Sequence, residues 1–392
     1  MATDNNNKVL NVPNLRFPGF GGEWEREKLR DKCSFYSGGT PSSSNKSYYN
    51  GEIPFIRSGE ISGDSTELFL SEFGLNNSSA KMVDIGDLLL ALYGATSGQI
   101  AISKIRGAIN QAILCIKSSY DNIFLKSVWE KHVDKILQAY LQGGQGNLSA
   151  DIVKNLSFYF PSLDEQNKIS KLIVLIDERI ATQNKIIEDL KKIKVAITQK
   201  ISKDNSNRKV MLSELLTERY EKNKDLYPVH SVSVSEGIIN QVDFLGRSFA
   251  ANDISNYNVV CCGDIVYTKS PTGDFPYGIV KMSSIDTKVS VSPLYGVYHP
   301  SSEYVGIYLH NYFSNSLNAK NYLHKLIQKG AKNTINITNK RFLENEISLP
   351  NETLLKEYSL FISAFDLKIK SEQKALLLLQ KQKEYLLQQM FI

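Results

Sequence analysis

Residues 176–202, IDERIATQNKIIEDLKKIKVAITQKIS, and residues 365–391, FDLKIKSEQKALLLLQKQKEYLLQQMF, carry one pattern written twice. An offset of 189 residues places Pro161 on Pro350, Asp177 on Asp366, Ile180 on Ile369, Lys194 on Lys383 and Gln199 on Gln388 without a gap. In the first copy Ile169, Ile173, Ile176, Ile180, Ile187, Leu190, Ile197 and Ile201 advance by steps of three and four, the spacing of a heptad seam. Gln183 and Lys194 fill the two vacant positions. The second copy repeats this with Tyr358, Ile362, Phe365, Ile369, Leu376, Leu379, Leu386 and Met390, and its vacant positions hold Glu372 and Lys383. A polar residue inside such a seam costs stability and fixes register. A parallel pair in register would set Lys194 against Lys383. The expectation is therefore an antiparallel pair, with Lys194 opposite Glu372 and Gln183 opposite Lys383. From Ile169 to Ile201 the helix would form a rod of roughly 50 Å, at ~1.5 Å per residue.

A mixed segment precedes each helix, and the two segments agree in order. Ile53-Pro54-Phe55-Ile56, Leu88-Leu89-Leu90, Ile100-Ala101-Ile102 and Ala112-Ile113-Leu114 are short apolar runs between Gly and Ser, which predicts strands. Leu125, Trp129, Val133, Ile136, Leu137 and Tyr140 then predict a helix that stops at Gly143-Gly144. In the second half Ile265 to Tyr267, Gly278 to Val280, Val289 to Val291 and Leu294 to Tyr298 predict strands, and a helix runs through Val305, Tyr308, Leu309, Tyr312 and Phe313. Gly86-Asp87 before one strand recurs as Gly263-Asp264, and KDNSNRK at 203–209 reads as a polar linker. The fold class is α+β: two repeated mixed α/β domains, each followed by a long helix, the two helices pairing as an antiparallel coiled coil. The boundaries expected are a tail at 1–15, a first domain at 16–161, a central helix at 162–203, a second domain at 204–349 and a C-terminal helix at 350–392.

The length suggests roughly two or three domains. The chain has 392 residues, 42% hydrophobic and 22% charged, longer than the ~100 to 200 residues usual for one domain. No run approaches the ~18 apolar residues that span a bilayer. Met1 to Val12 lacks the apolar core of a secretory signal, so a disordered tail and a cytoplasmic protein are expected. Cys33, Cys115, Cys261 and Cys262 show no metal-ligand spacing and read as buried thiols. A net charge of +5 permits nucleic acid without demanding it.

Catalytic patterns are missing from the sequence. There is no GxGxxG, no phosphate loop ending Gly-Lys-Ser/Thr, no Gly-x-Ser-x-Gly, no HExxH and no Asn/Asp-Pro-Pro-aromatic motif. Asp286 and Lys288 faintly suggest a nuclease end, but no further acidic residue accompanies them at a convincing spacing. The expectation is no catalytic residue and no metal site. What remains are loops rich in hydroxyl, amide and aromatic groups, able to bond base edges or phosphate. The candidates for DNA contact in the first domain are Ser37, Gly38, Gly39, Thr40, Arg57, Ser58, Tyr93, Thr96, Ser97, Gln99, Gln145 and Asn147. In the second they are Lys269, Ser270, Thr272, Lys329, Lys332 and Asn333.

Val12-Pro13-Asn14-Leu15-Arg16-Phe17-Pro18-Gly19-Phe20 with Glu23-Trp24-Glu25, then Ser37-Gly38-Gly39-Thr40-Pro41, Asn110-Gln111 and PSLDEQNKI at 161–169 carry a resemblance. In their order and in the duplicated plan, the chain resembles the specificity subunit of type I restriction-modification systems. The second repeat departs from the motif, since Asp164-Glu165-Gln166 becomes Thr353-Leu354-Leu355 and Gly-Gly-Thr-Pro is absent. The resemblance implies two target-recognition domains reading a split, asymmetric sequence in double-stranded DNA. It further implies two methyltransferase subunits that bring S-adenosylmethionine and methylate adenine at N6, and restriction subunits that use ATP and Mg. The chain itself would hold no cofactor and be no enzyme alone. The alternative is a non-catalytic two-domain coiled-coil adaptor that binds proteins rather than DNA.

Overall fold

Leu88, Leu89, Leu90 and Ala91 are all fully buried, because the strand they form has a core on each face. Leu88 and Leu90 pack with Phe124, Leu125 and Trp129 of the helix Asn122–Tyr140, while Leu89 and Ala91 pack with Ile56, Ile109 and Cys115 on the other side. The computed structural model describes residues 10–140, 148–246, 251–329 and 335–392. It divides into two units, Met1–Asn184 with Lys374–Ile392, and Lys185–Gln373.

The same scaffold is built in both units. In the first, Glu25–Lys28 pairs antiparallel with Ser157–Phe160, and in the second Arg208–Met211 pairs with Glu346–Leu349. A one-turn helix follows each opening strand, Leu29–Lys32 and Leu212–Leu215. An antiparallel four-stranded sheet comes next. Its order is Cys33–Ser37, Ile113–Ser118, Leu88–Ala91, Ile100–Ile102 in the first unit, and Leu216–Glu218, Gly296–Pro300, Ile265–Thr268, Ile279–Met282 in the second. The recurring Gly-Asp is a turn feeding the third strand of that order. Gly86 and Gly263 take φ +92° and +84°, a left-handed backbone that glycine adopts without strain. The Gly86 amide donates to Ser103 O at 2.9 Å and Gly263 to Ser283 O at 2.9 Å, while an Asp87 carboxylate oxygen accepts from Asp84 N at 2.8 Å as Asp264 does from Cys261 N at 2.8 Å. Lys117 pairs with Asp87 and His299 with Asp264 at matching sheet positions.

Elsewhere the units diverge. The first adds a sheet ordered Leu68–Leu70, Tyr49–Ile56, Gly107–Ile109, Lys81–Val83, whose central pair is parallel. The second adds the two-stranded pairs His230–Ser233 with Gly237–Asn240 and Asn258–Val260 with Val289–Val291.

Leu163–Ser202 and Glu352–Met390 are continuous helices of 40 and 39 residues. In the first unit Ile169, Ile173 and Ile176 share a core with Leu386 and Met390, so the start of one helix meets the end of the other. In the second unit Ile197 and Ile201 pack with Leu355, Tyr358 and Ile362, and Thr198 Oγ1 lies 2.8 Å from Tyr358 Oη. Both packings are antiparallel, as the seam predicts. The polar layers need correction. Lys194 Nζ pairs with Asp366 at 2.6 Å instead of Glu372, and Lys383 Nζ with Asp177 at 2.8 Å and Glu130 at 3.4 Å instead of Gln183. The aspartates lie six residues before the expected partners in both cases, and the 189-residue offset exchanges one pair for the other. A long lysine stem reaches past its own layer, and a carboxylate compensates the part-buried ammonium better than an amide does.

Smaller expectations also shift. The strand expected from Leu294 begins at Gly296, with Leu294 exposed. Arg208 and Lys209 of the polar linker belong to a strand. Of the four thiols Cys115 alone is buried, and Cys262 is exposed. The Gly143-Gly144 stop lies outside the described residues. Asn11 O accepts from Trp24 N at 2.8 Å, and the Leu15 amide donates to Gln389 O at 2.9 Å, which ties down the chain that leads into the first domain.

The second unit also buries a cation. Lys281 is 6% exposed and donates to Ser314 Oγ at 3.3 Å. Burial, with Lys194 nearby, pulls its ammonium down to about 8. The matching strand position in the first unit holds Ala101. Below pH 8 the lysine is charged in both folded and unfolded chains, and the full desolvation penalty opposes folding. Between pH 8 and about 10.5 the unfolded chain binds the extra proton, so stability rises with pH through that window. Lys281→Met is expected to stabilise the protein by about 2 kcal/mol at pH 7. Urea denaturation across pH should show that advantage shrinking above pH 8.

Candidate nucleic-acid interface

Strand direction gathers the first unit's candidates at one end of its sheets. Cys33–Ser37 and Leu88–Ala91 both run toward that end, and Ile113–Ser118 and Ile100–Ile102 start from it, because Ser37 pairs with Leu114 and Ala91 with Ile113. Tyr49–Ile56 and Gly107–Ile109 are parallel, with Ile56 beside Ile109, so Arg57 and Asn110 leave the second sheet together. The loops at Ser37–Thr40, Arg57–Ser58, Tyr93–Gln99 and Asn110–Gln111 thus emerge at one edge of the fold.

Within this edge the residues divide between scaffold and open surface. A Cβ on Gly38 would stand 1.7 Å from Ile109 O, and one on Gly39 1.8 Å from Ser79 Oγ. Glycine at these two positions admits close approach of the protein's own Ile109 and Ser79. Thr40 is exposed and its hydroxyl donates to Gln111 Oε1, which joins the two motifs. Arg57 bonds Glu60 and Glu67 at 3.0 and 2.6 Å, and these carboxylates raise its already high pKa. Its charge is matched within the loop. Ser58 opens the turn Ser58–Glu60. Tyr93 is partly buried against the core, and burial raises its phenol. Ser97 Oγ donates to Leu92 O at 2.9 Å, and the Trp129 indole donates to Gly98 O at 2.8 Å, so the loop is held from beneath while Gln99 stays exposed. A hollow of about 520 Å³ opens here, lined by Ser62, Ser97, Gln99, Trp129 and Val133 among others. Gln145 and Asn147 lie outside the described residues, but Leu148 N donates to Leu92 O at 3.0 Å, which seats their flank beside the Tyr93 loop.

The second unit places Lys269, Ser270 and Thr272 at the equivalent edge. Lys269, Ser270 and Thr272 follow Ile265–Thr268 as Tyr93 to Gln99 follow Leu88–Ala91. Ser270 and Thr272 are exposed, and Thr272 exchanges backbone bonds with Phe275. Tyr277 in the same loop meets His324 at 5.8 Å between ring centroids. Lys329 follows shortly in a strand paired with Ile335, while Lys332 and Asn333 lie outside the described residues. Three neighbours escaped the sequence reading: Glu218, Tyr220 and Asn339. Asn339 Nδ2 donates to Glu218 Oε1 at 3.0 Å and Tyr220 Oη to Glu218 Oε2 at 2.9 Å. Tyr220 is 76% exposed. In sequence they sit in polar runs without periodicity, so only register reveals them. The suggested nuclease lysine, Lys288, is paired with Glu221 at 2.6 Å. Among the described residues no cluster of three His, Cys, Asp or Glu could hold a metal ion, and no helix is long and apolar enough to cross a membrane.

Residues 21–192 match the family model described as type I restriction modification DNA specificity domain. The chain is similar to the specificity subunits of the type I restriction enzymes MjaIX and MjaVIII of Methanocaldococcus jannaschii. The first is 26% identical over 182 residues and the second 24% over 184, covering 44% and 46% of this chain. Each match spans 42% of the relative's own length. Among solved structures, the type I S subunit from M. genitalium superposes with a TM-score of 0.59 at 12% identity, over 97% of this chain and 99% of that one. A chain from a study of assembly and conformational transition in the type I R-M system gives 0.53 at 14% identity, over 96% and 98%. These likenesses establish the fold.

Proposed function

We infer that this chain, whose residues 21–192 match the model of the type I restriction modification DNA specificity domain, is the sequence-reading subunit of a restriction-modification complex. The observation that carries the reading is the repeated sheet edge. In each unit a loop of hydroxyl, amide, aromatic or lysine side chains leaves the same strand of the same four-stranded sheet. Rigid strands hold such loops accurately enough to read base edges in a groove. Residues 16–161 and 204–349 are taken as the two recognition domains, each reading one half of a bipartite, asymmetric site in double-stranded DNA.

The chemistry is assigned to partners. Two modification subunits would bind S-adenosylmethionine and methylate adenine at N6, and restriction subunits would supply ATP- and Mg-dependent cleavage. The chain contributes recognition and does not catalyse. Its net charge of +5 is modest for a DNA binder, which fits an assembly whose other subunits neutralise much of the phosphate charge.

Salt separates this reading from a protein-binding adaptor. DNA affinity should fall steeply and linearly on a log–log plot as salt rises from 50 to 200 mM, roughly 10³-fold if six phosphates are contacted. Partner binding that resists salt, with no measurable affinity for duplex DNA at low salt, would favour the adaptor.

A further inference from the structure

The repeated sheet lets the two units be compared position by position. Phe35 pairs with Ile116, which pairs with Leu88; in the second unit Glu218 pairs with Tyr298, which pairs with Ile265. Glu218 therefore stands where the first unit has Phe35. Counting along the next strand, Lys269 stands where the first unit has Leu92, which is 5% exposed. Hydrocarbon has given way to a carboxylate and an ammonium on one face of an otherwise apolar sheet. Such an exchange costs stability, so folding alone does not account for it.

The carboxylate is fixed from two sides, by Asn339 Nδ2 at 3.0 Å and Tyr220 Oη at 2.9 Å. Lys269 is half-buried at the root of the exposed Ser270–Thr272 loop. Burial lowers the pKa of its ammonium and the nearby Glu218 carboxylate raises it, so Glu218 favours the charged form of a partly desolvated lysine. Resting on the reading of this edge as a DNA interface, we propose that Lys269 reads a guanine in the half-site of the second unit, with Glu218 as its positioning residue.

The chemistry selects the base pair. An ammonium offers donors only, and in the major groove guanine O6 and N7 present two adjacent acceptors. The cytosine N4 amino group on the same pair is a donor compatible with a neighbouring carboxylate, whereas thymine O4 would face it as a second acceptor.

The test uses the full chain purified with its bound partners and a randomised duplex library. Lys269→Met keeps the stem and fits a position where the first unit carries Leu92. It should relax one specified guanine, with preference there dropping roughly tenfold while the other positions stay selected. Glu218→Gln should relax the same position, and the double variant should lose no more than Lys269→Met alone. Replacing that guanine with 7-deazaguanine should weaken binding of the unaltered protein but not of Lys269→Met. If Lys269→Met instead weakens all sequences equally and lowers the salt slope by about one, the lysine contacts phosphate. The proposal is then wrong while the DNA reading stands. If the unaltered complex selects no motif, the DNA reading itself fails and this proposal with it.

Discussion

Gly38→Ala is expected to destabilise the first unit by about 3 kcal/mol or more, the upper range of overpacking. The added Cβ would lie 1.7 Å from the carbonyl oxygen of Ile109 and 2.5 Å from its carbonyl carbon. Both are backbone atoms of a central strand that pairs with Tyr49–Ile56 on one side and Lys81–Val83 on the other. Neither neighbour can yield without breaking that sheet, and the loops at Arg57 and Asn110 would move with it. Gly59→Ala is the control, because a Cβ there meets nothing within 4 Å. Urea titration monitored by tryptophan fluorescence reports on the right unit, since Trp24 and Trp129 are the chain's two tryptophans and both are buried in its core. A Gly38→Ala midpoint equal to that of Gly59→Ala would show that the contact is not as drawn.

Glu165→Ala should cost about 3 kcal/mol, as removing one partner from a largely buried ion pair does. The Glu165 side chain is 1% exposed, and Arg16 grips it through Nε and Nη2, each at 2.7 Å. Arg16 would keep its bonds to the carbonyls of Gly21 and Gly22, which sets the effect near the lower end of the range for such pairs. Arg16→Ala should cost a similar amount, and the double variant markedly less than the two together, because both singles destroy one interaction. Thermal or urea unfolding measures all three. Additive losses would mean that the two side chains act independently.

That clamp explains what was legible in the sequence. Arg16 belongs to the opening LRFPGF stretch and Glu165 to PSLDEQ, two motifs that carry the family resemblance. Gln166 accepts from Asp121 N at 3.1 Å and donates to Pro161 O at 2.9 Å, so its role too is in the scaffold. In the second repeat the matching residues are Leu354 and Leu355, and Leu355 is buried in the core. The motif can therefore vanish while the architecture persists. The heptad seam was readable because burial repeats every three and four residues. The ion partners were not, since Asp177 and Asp366 lie beside the seam and are reached by lysine stems from another layer.

The candidate edge was legible in part. Loop chemistry pointed to Thr96, Ser97, Gln99, Ser270 and Thr272, which the fold does bring to matching edges. Composition alone could not separate Gly38, Gly39 and Arg57, whose space or charge is satisfied internally, from residues left open. Glu218 and Asn339 are 121 residues apart, and Glu218 is singled out only by its register against Tyr298. The added sheet of the first unit was mostly invisible, because Leu68–Leu70 and Lys81–Val83 are three residues each, too short to show alternation.

The proposed function is that this chain directs adenine methylation by reading DNA. Sequencing N6-methyladenine across the host genome, with the chain present and deleted, tests it most directly. The expected result is that methylation disappears from one motif with two short specified halves around a fixed gap, and returns when the chain is restored. An unchanged methylation pattern in a host whose methyltransferase co-purifies with this chain would contradict it.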